Sequence, residues 1–108
     1  MPPKRDKRLP PAVARSMREL AEDLVTWRKL RGLTQAQLAD RAGISRDTLT
    51  RLEGGTGGVG LETLLRVLRA LGLLDSLAEA FDPHRSDVGR MRSDQELPRR
   101  VRPRRLDG

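Results

Sequence analysis

The stretch from Gln35 to Gly54, QAQLADRAGISRDTLTRLEG, decides how this chain folds. Thr34 stands before it as an N-cap, since its hydroxyl can satisfy an orphan amide of a helix that starts Gln35-Ala36-Gln37-Leu38-Ala39. Gly43 permits a left-handed turn, Ile44 plugs that turn, and Ser45 caps a further helix running through Glu53. Leu38 and Ala39 face inward from the earlier helix, and Leu49 and Leu52 hold the later one against it. Ala39 is the informative position. Two helices that cross steeply through a short turn approach closely, and a larger side chain there would push them apart. Arg46, Asp47, Thr50 and Arg51 are left on the outer face of the later helix.

Working outward, Met17, Leu20, Ala21, Leu24, Trp27 and Arg28 recur at steps of three and four in a helix that opens near Val13 and stops at Gly32. After Glu53 the run Gly54-Gly55-Thr56-Gly57-Gly58-Val59-Gly60 reads as a loop. Leu61, Leu64, Leu65, Leu68 and Leu71 mark a fourth helix closed by Gly72. Leu73, Leu74, Leu77, Ala78 and Phe81 mark a short fifth, capped by Asp75 and ended near Asp82-Pro83. The expected organisation is a flexible basic arm over residues 1–15, a helical domain over 16–82, and an Arg-rich tail without periodicity over 83–108.

Composition agrees with this reading. A chain of 108 residues supports one small domain plus tails. Apolar residues make up 36%, with one Trp, one Phe and no Tyr, so the core must come from Leu, Ala, Val and Ile on helices, and the class is all-α. The absence of cysteine excludes a disulfide framework and a thiolate metal site, and permits a reducing cytoplasm. No apolar run is long enough for a membrane span, and Met1 to Pro11 is charged without an apolar h-region, so a soluble cytoplasmic protein is expected. The formal net charge of +7 is unevenly placed. Residues 1–15 carry five basic and one acidic side chain, residues 82–108 eight and five, and residues 16–81 nine of each. The excess lies wholly in the two ends.

Taken together, Leu33-Thr34-Gln35, Leu38-Ala39, Ala42-Gly43-Ile44-Ser45, Leu49 and Leu52-Glu53 resemble the phage-repressor or Cro-type helix-turn-helix family, over about residues 17–81. Gly54-Gly55 departs from the Asn-Gly or similar polar pair more usual there. The resemblance implies a compact five-helix, lambda-repressor-like DNA-binding domain. Its third helix would enter the major groove with Arg46, Asp47, Thr50 and Arg51 at base edges. There Arg46 can grip guanine O6 and N7, and Asp47 can accept from a cytosine amine or orient Arg46. The alternative for this row is a solvated polar face. Thr34 and Gln35, at the positive end of the second helix, with Thr48 and Thr56, are the candidate phosphate contacts; capping alone is the alternative for Thr34. The resemblance also implies an ion pair between Arg28 and Glu53 that links helix 1 to the end of the recognition helix, against the alternative of two exposed charges.

One recognition helix reads only a few base pairs, so the expected partner is an inverted repeat in double-stranded DNA bound by a homodimer. Leu73, Leu74, Leu77 and Phe81 are the candidate dimer interface, or they cap their own core. The resemblance implies a transcriptional repressor, located in the cytoplasm with the nucleoid. The segment from Gly60 to Leu65 and the Leu-rich fifth helix are also similar to antitoxins paired with HipA-type kinase toxins, which adds a toxin as a candidate partner. A coactivator-like bridging module is a third reading. The terminal segments, including Arg99 to Arg105, can track phosphates, solubilise the chain or fold on a protein partner. No cofactor is expected. Gly55 to Gly60 spells G-x-G-x-x-G, but a capped helix rather than a strand precedes it. His84, the only histidine, lies in the polar tail, and no carboxylate pair has catalytic or metal-ligand spacing, so an enzyme is not expected.

Overall fold

A computed structural model describes residues 8–96, and their regular structure is helical throughout. Helix α1 spans Pro11–Leu30, α2 Gln35–Ala42, α3 Arg46–Gly54, α4 Leu61–Leu71, α5 Leu74–Phe81 and α6 Asp87–Glu96, with a single 3-10 turn at Pro83–Arg85. The chain divides into two units, one ending at Leu74 and the other beginning at Asp75.

Proline sets the start of α1. Pro11 occupies the first turn, where its fixed φ suits a helix and its missing N–H goes unneeded, while the Pro10 carbonyl accepts from the amides of Val13 and Ala14. The helix therefore begins earlier than its apolar stripe announces. Residues 11–15, expected in the basic arm, are its opening turn; residues 1–7 of that arm lie outside the described residues.

Three helices of the first unit end alike. The amide of Leu33 donates to the Arg28 carbonyl, Ile44 to Ala39 and Leu73 to Leu68, each the long bond of a Schellman motif. The apolar residue that makes this bond is turned back onto the helix it has just left. At Gly43 the motif needs a left-handed residue, φ 70°, and it turns α2 into α3.

These turns stack α2 on α4, α3 on α1 and α2 on α3. Leu24, Leu38, Leu49, Val67 and Leu71 are fully enclosed, with Ala21, Leu33, Ala39, Ala42 and Leu68 around them. Each such Leu contributes about 1.5–3 kcal/mol by leaving water. Two arginines tie helix ends from outside. Arg31 donates from Nε to the Leu71 carbonyl at the end of α4 (3.1 Å) while its guanidinium lies over the Trp27 ring, 5.2 Å from the centroid. Arg66 reaches the Ala42 carbonyl at the end of α2 and the Glu62 carboxylate one turn earlier on its own helix.

Helix α5 begins at Leu74, so Asp75 sits in its first turn and is not the cap the sequence suggested. The segment from residue 83, read as an Arg-rich tail without periodicity, carries the 3-10 turn Pro83–Arg85 and helix α6, Asp87–Glu96. Asp82 accepts from the His84 amide at 2.9 Å to start the 3-10 turn. Ser86 accepts from the Gly89 amide at 2.8 Å, and Arg90 returns to the His84 carbonyl and to Asp87. Residues 97–108, which hold the Arg99 to Arg105 run, lie outside the described residues.

Candidate nucleic-acid interface

Helix α3 is fixed at its start by Ser45, whose Oγ accepts from the Thr48 amide at 3.1 Å and shares a 2.7 Å hydrogen bond with the Thr48 hydroxyl. Leu49 anchors its middle in the core, and Leu52 is half-buried. At its end Gly55, φ 71°, passes so close to α1 that a Cβ there would stand 3.2 Å from the Arg18 Cα and 3.3 Å from the Ala21 Cβ. A helix held at three points presents its remaining face rigidly. That face carries Arg46, Asp47, Thr50 and Arg51, all exposed. Among the described residues none of the four side chains has a hydrogen bond or ion pair within the chain.

The neighbouring polar groups are engaged internally. Thr34 and Gln37 close a capping box at the start of α2: the Thr34 Oγ1 accepts from the Gln37 amide (3.1 Å) and the Thr34 amide donates to the Gln37 Oε1 (2.9 Å). Gln35 donates from Nε2 to the Glu53 Oε1 at 2.8 Å. The same carboxylate receives Arg28, Nε to Oε2 at 2.7 Å and Nη2 to Oε1 at 3.2 Å, while the Arg28 Nη1 reaches the Leu33 carbonyl at 3.1 Å. The side chains of Arg28 and Glu53 are only 12% and 5% exposed. This network joins α1, the start of α2 and the end of α3.

The sequence-derived candidates therefore fall into two groups. Arg46, Asp47, Thr50 and Arg51 share one open face, and Thr56 is exposed in the loop beyond α3. Thr34, Gln35 and Thr48 have polar atoms already bonded inside the chain. Gln37 carries a capping role that the Thr-x-x-Gln spacing signals. Arg31 and Arg66, which seat neighbouring helix ends, had no such signal, because their partners lie 40 and 24 residues away. The Gly55 to Gly60 run follows α3 and leads into α4, so no strand introduces it. Among the described residues no group of three His, Cys, Asp or Glu side chains is placed to hold a metal ion, and no helix is long and apolar enough to cross a membrane.

Two short helices meeting across a left-handed glycine turn, the second exposing an unpaired polar face, define a helix-turn-helix module. Residues 24–76 match the family model described as "Helix-turn-helix". Over 53 residues the chain is 38% identical to a protein of Haemophilus influenzae described as an uncharacterized HTH-type transcriptional regulator. The match covers 49% of this chain and 54% of that protein, so the chain spans about half the length of the curated relative it matches. No solved structure matches.

Proposed function

We propose that this chain is a sequence-specific DNA-binding transcriptional regulator, a repressor that acts in the cytoplasm as a dimer on an inverted repeat. The observation that carries the reading is the row Arg46, Asp47, Thr50 and Arg51, exposed and without internal partners on a helix fixed at both ends. An α-helix fits the major groove, and side chains near its N-terminus reach base edges. Arg46 at the first helical position is the guanine reader, Asp47 takes a cytosine amine, and Thr50 and Arg51 extend the contact along the groove. Thr34, Thr48, Thr56 and the amides at the start of α2 approach the phosphates, with Gln35 holding Glu53 behind them. Because one such helix reads few base pairs, specificity requires two copies about 34 Å apart on one duplex face. Leu73, Leu74, Leu77 and Phe81, of which Phe81 is 78% exposed, are the apolar side chains offered for that pairing.

Selection of bound sites from random double-stranded DNA tests the reading as a whole. The expected product is a symmetric site with half-sites one helical turn apart, or a multiple of it. A pool without enrichment, or a gel shift equal for all sequences, would overturn it.

A further inference from the structure

The open face of α3 offers two guanidinium groups, one carboxylate and one hydroxyl, from Arg46, Arg51, Asp47 and Thr50. In the major groove guanine shows only acceptors, N7 and O6, and cytosine only a donor, N4. Adenine sets an acceptor, N7, beside a donor, N6. Arginine can only donate and an ionised aspartate can only accept. The two arginines therefore match guanine and Asp47 matches cytosine, whereas adenine meets either charge with one group of the wrong kind. Pairing with adenine at both atoms takes a side-chain amide, which donates and accepts at once. The chain contains no Asn, and of its three Gln only Gln35 and Gln37 belong to the helix-turn-helix. Both amides are occupied. The Gln37 Oε1 accepts from the Thr34 amide at 2.9 Å, and the Gln35 Nε2 donates to the Glu53 Oε1 at 2.8 Å. Turning either toward a base would open the capping box of α2 or detach α2 from the end of α3.

We infer that the DNA this chain selects is read at G·C pairs, with guanine under Arg46 and Arg51, cytosine under Asp47, and no adenine read by α3. Thr50, whose hydroxyl both donates and accepts, tolerates any base. Asp47 adds rejection to attraction: opposite a purine N7 or a phosphate its charge is repelled, so wrong sequences are penalised as well as the right one held. Asp47 also lies in the first turn of α3, where a negative charge favours the positive helix end whatever base it faces. That role is separable, because it carries no base preference. The inference rests on the DNA-reading function proposed above and adds to it the class of sequence bound.

The test is selection from random double-stranded DNA with the full chain as wild type, Arg46→Gln and Asp47→Asn. Each variant places an amide where a charge stood, at an exposed side chain without internal partners, and circular dichroism melts establish that both are folded. The wild-type site is expected to be restricted at G·C pairs. Arg46→Gln is expected to move one position of each half-site from guanine to adenine, and Asp47→Asn one position from cytosine to adenine. A second measurement separates base contact from duplex shape. In the wild-type site, 7-deazaguanine at the position that Arg46→Gln alters keeps the base pair but removes the N7 acceptor. Wild type is expected to bind this duplex about tenfold more weakly in a gel shift, and Arg46→Ala to show no further loss. An enriched site restricted at A·T pairs, variants that keep the wild-type preference, or a wild type indifferent to 7-deazaguanine would each overturn the G·C inference and leave the regulator standing. A pool without enrichment overturns the regulator reading itself, and the G·C inference with it.

Discussion

The Arg28 guanidinium meets the Glu53 carboxylate through two hydrogen bonds, 2.7 and 3.2 Å long, across a separation of 25 residues. The pair is mostly out of water, so its loss exposes a different cost from that of a surface bridge. Removing one partner leaves the other charge desolvated and unpaired. Glu53→Ala is expected to lower stability by about 3 to 5 kcal/mol in urea denaturation. A midpoint within error of wild type would show the pair contributes nothing.

Gln35 shares that carboxylate, so its substitution has two readouts. Gln35→Ala is expected to lower stability by about 1.5 kcal/mol, the worth of a hydrogen bond to a charged acceptor, because Arg28 still holds Glu53. By shifting the start of α2 against the end of α3 it should weaken binding to all DNA sequences alike. A loss confined to one site would contradict the positioning role.

Arg46 behaves in the opposite way. It supports nothing within the fold, so Arg46→Ala should leave the melting temperature unchanged and cost about 1–3 kcal/mol of affinity for the selected site, with one base preference relaxed. Equal losses on selected and random DNA would move Arg46 from base to backbone contact.

Ala39 measures how tightly α2 and α3 cross. It is 3% exposed, and its carbonyl accepts the Ile44 amide in the turn. Ala39→Leu is expected to destabilise by about 1–3 kcal/mol through overpacking and to reduce DNA binding further by tilting α3. Unchanged melting would mean the crossing has room to spare.

Two glycines separate strain from collision. Gly32 and Gly55 share φ 71°, but a Cβ at Gly32 meets nothing within 4 Å whereas one at Gly55 would press on the α1 backbone. Gly32→Ala should cost only the left-handed strain, about 1–2 kcal/mol, and Gly55→Ala distinctly more. Equal effects in thermal melts would refute the close approach.

What could be read in the sequence was local. The caps at Thr34 and Ser45, the turn at Gly43 and the inward leucines of α2 and α3 are set by chemistry within a few residues, so the module was visible before its coordinates. The open row on α3 followed from the same periodicity. What stayed hidden depended on distance or on weak patterning. The attachment of Gln35 to Glu53 spans 18 residues and emerges only when α2 and α3 have crossed. Helix α6 has Val88 and Met91 as its large apolar residues, both exposed, and so shows no buried stripe to mark it. The start of α1 was masked because a proline that begins a helix and a proline in a coil look alike without the following amides.

The three-point fixing of α3 separates address from frame. Ser45, Leu49 and Gly55 hold the rod, and the Arg28, Gln35 and Glu53 network braces it from behind, while Arg46, Asp47, Thr50 and Arg51 brace nothing. Descendants of such a chain can rewrite the four outward letters and acquire new targets without rebuilding the scaffold that displays them.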